Sequence, residues 1–147
     1  MPDELRELYL TFGGQEFIGS GTYGLFGSHR LHRPTELIEH HHLFIESLVS
    51  TRWANRADGN EDEFDKKFRR FPPSPDEEVV FNPCLLPFAS WDAYALCIDW
   101  LTGTVWECER DCVQGNTRRE NIVSVVRELL NQLAAGRTPC LFSDPTQ

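Results

Sequence analysis

Two short spacings in this chain are legal half-sites for a tetrahedral metal: His29-x-x-His32 and Cys108-x-x-x-Cys112. Imidazole and thiolate are zinc's usual ligands, and a glycine-rich loop meeting a strand end could close the tetrahedron. Neither half is a tight Cys-x-x-Cys, and a chain of this length can bury a core without a metal staple, so no metal and no cofactor are expected. Glu107, Glu109 and Asp111 alternate along a strand and its exit, and so share a face. Paired carboxylates can do acid–base work. Three in a row at a strand end are expected to form a solvated acidic rim instead. His40-His41-His42 falls within a helical pattern, where consecutive side chains point about 100° apart and cannot chelate one ion together. His41 is expected on the apolar side, between Leu37 and Ile45, with His40 and His42 nearer the solvent. Gly19, Gly21 and Gly24 have the spacing of a dinucleotide fingerprint, but no helix follows at once, so strands and turns are expected there. With no recognisable nucleophile, base and orienting acid, and no phosphate loop, no catalytic residue is assigned.

The elements that must position these residues are legible in the hydrophobic periodicity. A short helix is expected over residues 3–11, ended by Gly13-Gly14. A second runs from Pro34-Thr35 to about Ser50, with Leu37, His41, Phe44, Ile45 and Leu48 on one face, and a loop follows over 51–60. Asn60 and Glu63 read as the capping box of a third helix, striped by Phe64, Phe68 and Phe71 and stopped by Pro72-Pro73. Within it, Asp62–Lys66, Glu63–Lys67 and Asp65–Arg69 are spaced as ion pairs that would neutralise the basic-aromatic run "KKFRRF". Strand pieces are expected at 79–81 and 85–89. "AYALCIDWLTGTVWECE" then reads as a hairpin turning at Thr102-Gly103, with Trp106 and Cys108 on one face and Val105 and Glu107 on the other. Thr117 and Glu120 read as a capping box for a last helix, whose buried stripe is Ile122, Val125, Val126, Leu129, Leu130 and Leu133.

The 147 residues suit one domain over 1–147. A net charge of −9, with pI about 4.9, disfavours nucleic acid and anionic membranes and favours a basic protein partner. Five cysteines, no leader-like start and no apolar run of about 18 residues together lead to the expectation of a cytoplasmic protein without a disulfide framework.

Two stretches carry a family resemblance. "PDELRELYLTFGG" resembles the opening helix and glycine turn of the SUKH superfamily, which includes the yeast cell-wall assembly regulator. "LLPFASWDAYALCIDWLTGTVWECERD" resembles that family's second landmark, a Pro-Phe-Ala strand followed by a Thr-Gly hairpin, and the closing helix from Thr117 to Leu133 also fits. The likeness covers most of the chain outside 51–78, which reads as a helical insertion. It implies a single α+β domain, a mostly antiparallel or mixed sheet flanked by helices. Many bacterial members are immunity proteins that neutralise toxins, often nucleases; others are scaffold or signalling modules, and known members are generally not enzymes. The expected function is therefore a non-enzymatic protein-binding module, an immunity protein that covers a toxin's basic surface. A cytosolic scaffold or signalling domain and a metal-dependent enzyme are the alternatives. Aromatic anchors dominate interfaces, which places the expected contact on Trp91, Asp92, Glu107, Glu109 and Asp111.

Overall fold

The computed structural model describes residues 1–14, 26, 29–110 and 112–141. The glycine-rich segment around Gly19, Gly21 and Gly24 lies outside the described residues, as do Asp111 and the last six positions. The chain folds as an α+β domain, with four helices and one open sheet of six antiparallel strands among the described residues. In chain order the elements are α1 (Asp3–Phe12), β1 (Arg30–Leu31), α2 (Pro34–Ala57), α3 (Glu61–Arg69), β2 (Glu78–Val80), β3 (Leu85–Trp91), β4 (Tyr94–Asp99), β5 (Val105–Glu109), β6 (Cys112–Gln114) and α4 (Ile122–Ala134). The strands lie in the order β1-β3-β4-β5-β6-β2, so the two-residue β1 and the three-residue β2 are its outermost described strands.

The period-two alternation of β4 and β5 sorts their side chains between two cores. Leu96, Ile98 and Val105 face one layer, packed under Leu5, Leu8 and Tyr9 of α1 and Ile122, Val125 and Leu129 of α4. Ala95, Cys97, Trp106 and Cys108 face the other, covered by Phe44 and Ile45 of α2 and by Phe71. A smaller cluster of Leu48, Phe64 and Val80, with Phe68 against it, fastens α3 to α2 and to the β2 edge. Trp106 is the largest fully buried side chain. It meets Phe71 edge-on at 5.7 Å, and its indole N–H donates to Thr104 Oγ1 at 3.0 Å. The hairpin turn below it is tied by Asp99, which accepts from Leu101 N–H at 2.8 Å and from the Thr102 hydroxyl at 2.9 Å. This carboxylate is spent on the turn.

Several local readings are corrected by tertiary packing. The expected loop at 51–60 is mostly helix: α2 continues to Ala57 and stops only where Gly59 enters the left-handed region at φ 76°. The extension places Arg52 and Arg56 beside α3. Arg52 reaches Glu61 at 3.5 Å and Asp65 at 3.4 Å, and Arg56 reaches Glu61 at 3.8 Å. Of the acids in the expected pairs within that helix, Arg52 draws away Asp65. Among the described residues Lys66, Lys67 and Arg69 have no ion-pair partner, so none of the three expected pairs forms. Asn60 makes no side-chain cap to α3. The expected Thr117–Glu120 capping box also does not form. Thr117 sits buried in a short 3-10 turn, where its hydroxyl accepts from Glu107 N–H at 2.9 Å and donates to Gln114 O at 2.6 Å. Asn121 caps α4 instead, accepting from Ser124 N–H at 2.9 Å, while Glu4 of α1 accepts from Ile122 N–H at 3.2 Å. Of the expected α4 stripe, Leu130 and Leu133 are exposed, while the adjacent Leu129 is buried. Gly115 is required where β6 meets the chain before β2: its N–H donates to Glu77 O, and a Cβ there would collide with the Ser74 carbonyl.

The packing separates the tryptophans sharply. Trp106→Ala is expected to cost about 3–5 kcal/mol of unfolding free energy by urea titration. Trp53→Ala removes a side chain that is 63% exposed and should stay within about 0.5 kcal/mol of the parent. Equal losses in the two variants would contradict this two-core arrangement.

Candidate functional site

Two turns meet at one end of the sheet. The strand β3 runs further than the expected 85–89 and pairs Trp91 with Tyr94 across the two-residue turn Asp92-Ala93. Asp92 takes φ 52°, a left-handed conformation that aspartate tolerates better than most residues. The neighbouring β5–β6 turn holds Arg110 at φ 56°, and Arg110 N–H donates to Ala93 O at 2.9 Å. Tyr94 also pairs with Glu109, so the register brings Trp91, Tyr94 and Glu109 into one row. The Trp91 and Tyr94 rings stack with centroids 6.0 Å apart and planes 16° apart. Half of Trp91 remains exposed (50%), and Asp92 is exposed beside it. Among the described residues neither Asp92 nor Glu109 has an ion-pair partner. The result is a rigid aromatic plate with carboxylates at its margin.

Of the five residues expected to form a contact surface, the structure brings together Trp91, Asp92 and Glu109. Glu107 does not belong with them. It is buried on the α1–α4 side of β5, with Oε2 3.5 Å from His29 Nε2, so the expectation of a solvated rim is corrected for this residue. The cause is the short length of β5: two residues along the same face is enough to pass from the sheet end into the core. Asp111 lies outside the described residues. Tyr94 and Arg110 were not foreseen as part of the surface. The two-residue turn between Trp91 and Tyr94 is the signal that could have found the tyrosine.

The metal half-sites are separated by the same alternation. Cys108 points into the core under α2, whereas Glu107 and the adjoining His29 lie on the other face of β5. His32 is held elsewhere, against β3 and α2. Among the described residues no three His, Cys, Asp or Glu side chains are grouped to hold a metal ion. Burial first, and then the hydrogen-bonded neighbour Cys97, push the Cys108 thiol well up, which opposes a thiolate there.

His32 itself is fully buried, at 0% exposure. The Pro87 carbonyl can only accept, so His32 Nδ1–H donates to it across 3.2 Å, and Nε2 accepts from the Ser90 hydroxyl at 2.6 Å. His40 was expected near the solvent; instead it lies half-buried and stacks on His32, with centroids 3.9 Å apart. His41 follows the expected inward side, donating from Nε2 to Pro83 O at 2.9 Å, and His42 forms an exposed pair with Glu46 at 3.2 Å. Glu36 closes the cluster. It accepts from Arg33 N–H at 2.7 Å and pairs with Arg30 at 3.1 Å. Burial works against the Glu36 charge, but the Arg33 N–H and the Arg30 guanidinium outweigh it and hold the carboxyl at about 2. A hydroxyl aimed at an imidazole is also the geometry that activates a serine nucleophile. Here, however, burial and the adjacent His40 lower the His32 pKa to about 4, with Arg30 adding to the effect against the Pro87 carbonyl and Glu36. An imidazolium formed by taking the Ser90 proton would be strongly disfavoured. The pair therefore clamps β1 and α2 onto β3.

Comparison with known proteins gave no match: no family model, no curated protein and no solved structure matches the chain. Among the described residues no helix is long and apolar enough to cross a membrane.

The clamp has a pH signature. The His32 pKa is depressed from 6.5 unfolded to about 4 folded, so the unfolded chain takes up the proton first as pH falls. The stability it confers is full above pH 6.5 and is lost through the interval down to about pH 4, to an extent of about 3 kcal/mol. Glu36 acts in a lower window, losing its contribution from 4.5 toward about 2. Denaturant titrations between pH 7.5 and 4.5 should therefore give a flatter pH dependence for His32→Gln than for the parent. Parallel slopes would remove His32 as the cause.

Proposed function

We propose that the protein is a non-enzymatic binding module that captures a basic protein partner through the Trp91 end of its sheet. The observation that carries this reading is the exposed Trp91–Tyr94 stack flanked by Asp92 and Glu109. A stacked tryptophan has little conformational freedom left to lose on docking, and aromatic anchors of this kind supply most of the energy at interfaces. Carboxylates at its margin, on a chain of net charge −9, would steer a cationic surface toward the plate and speed the encounter.

The resemblance to the SUKH superfamily gives this reading a specific form: an immunity protein that occupies the cationic cleft of a cognate toxin, possible targets including nucleases, which need positive charge to hold phosphates. A cytoplasmic site of action belongs to the same proposal. The buried Cys97 and Cys108, both thiols, are compatible with a reducing compartment.

The partner recovered from source-cell lysate should be purified and titrated against the parent protein and its variants. Trp91→Ala should weaken the complex about 30-fold or more, as loss of a hot-spot anchor does. Asp92→Asn with Glu109→Gln should slow association and flatten its dependence on salt. Affinity unchanged by Trp91→Ala and indifferent to salt would refute this surface.

A further inference from the structure

The third small core, between α2 and α3, does not close. Leu48, Val49, Phe64 and Phe68 form the walls of an open cleft of about 340 Å³, with Arg52, Asp65 and Arg69 at its rim. That volume falls within the range of small-molecule sites, about 300–1,000 Å³. We propose that this cleft binds a single-chain acyl carboxylate, the tail lying along Val49 and Phe68 and the carboxylate meeting Arg69.

The charges select the head group. Asp65 is already engaged by Arg52 at 3.4 Å, and Arg52 also reaches Glu61. Arg69 has no ion-pair partner among the described residues, and neither do Lys66 and Lys67 on the same helix. An apolar slot with an uncommitted guanidinium at its mouth is complementary to an amphipathic anion. This occurs on a protein whose net charge is strongly negative, so the local cationic rim is a property of how α2 and α3 pack and not of composition.

The walls select the tail. Both sides of the cleft are helices whose backbone N–H and C=O groups are bonded internally, and the wall side chains are hydrocarbon. An extended polypeptide laid there would bury its own amides without partners. A methylene chain carries no group that needs satisfying. Val49 is half exposed, which leaves the slot open at the surface for entry.

The test is calorimetric titration of the full chain with decanoate below its micelle concentration, at neutral pH, with decanol as the uncharged control. Saturable binding of one decanoate per chain is expected, with decanol much weaker. Arg69→Gln should weaken decanoate about tenfold, the loss expected for a charge-assisted hydrogen bond. Val49→Glu, at an exposed position that the fold does not need, should abolish binding while thermal unfolding of the variant remains cooperative. Equal affinity for decanol, or decanoate binding untouched by both substitutions, would overturn the assignment. So would the absence of saturable binding, or binding seen only to vesicles of anionic phospholipid. The outcome is independent of the Trp91 surface, since neither variant alters it.

Discussion

The alternation of side chains along β4 and β5 is the constraint on which the rest of the structure depends. These two strands are covered on both faces, so each successive residue is committed to a different core. Leu96, Ile98 and Val105 require α1 and α4 above them; Cys97, Trp106 and Cys108 require α2 and the segment carrying Phe71 below. A shift of register by one residue would exchange the two sets, turning Glu109 toward the α2 layer and Trp106 toward α1 and α4. The same alternation forbids Glu107 and Cys108 from serving a common site. It therefore explains both the inward position of one expected contact residue and the separation of the histidine and cysteine half-sites.

The edges of the sheet are held by different means. At β1, two described residues pair with β3. His32 adds to this by bonding to Pro87 and Ser90 of β3 while stacking on His40 of α2, and Arg30 and Glu36 join the strand to the first turn of the same helix. At β2 the cover comes from α3 through Phe64 and Val80. Both edges are thus protected against pairing with another chain by a helix or by a side-chain clamp. The α3 side remains less complete, and its open cleft is the consequence.

The two candidate surfaces differ in origin. The Trp91 plate is local: two tight turns and the β3–β4–β5 register suffice to place Trp91, Tyr94, Asp92 and Glu109 together. The uncommitted Arg69 at the mouth of the cleft is nonlocal in origin, because Arg52 of α2 engages Asp65, the acid spaced to pair with it. An acidic protein can in this way present one anionic and one cationic face, suited to ligands of opposite charge.

The α+β class was what the family resemblance implied; by itself the patterning of the sequence determined the four helices seen among the described residues and the central hairpin with its two faces. Those features follow from periodicities of 3.6 and 2 residues that hold over whole elements. It also located Trp91, Asp92 and Glu109, because residues flanking a hairpin must lie near its ends. Tertiary structure alone decided how far α2 runs, which residue caps α4 and which charges on α3 are neutralised. Each of those outcomes is a competition between a local bond and a distant one, as when Arg52 outbids Arg69 for Asp65 or Thr117 bonds Glu107 instead of capping a helix. Likewise, the burial of Glu107 and His40 was hidden because periodicity names the face a side chain takes but not how far its covering layer extends.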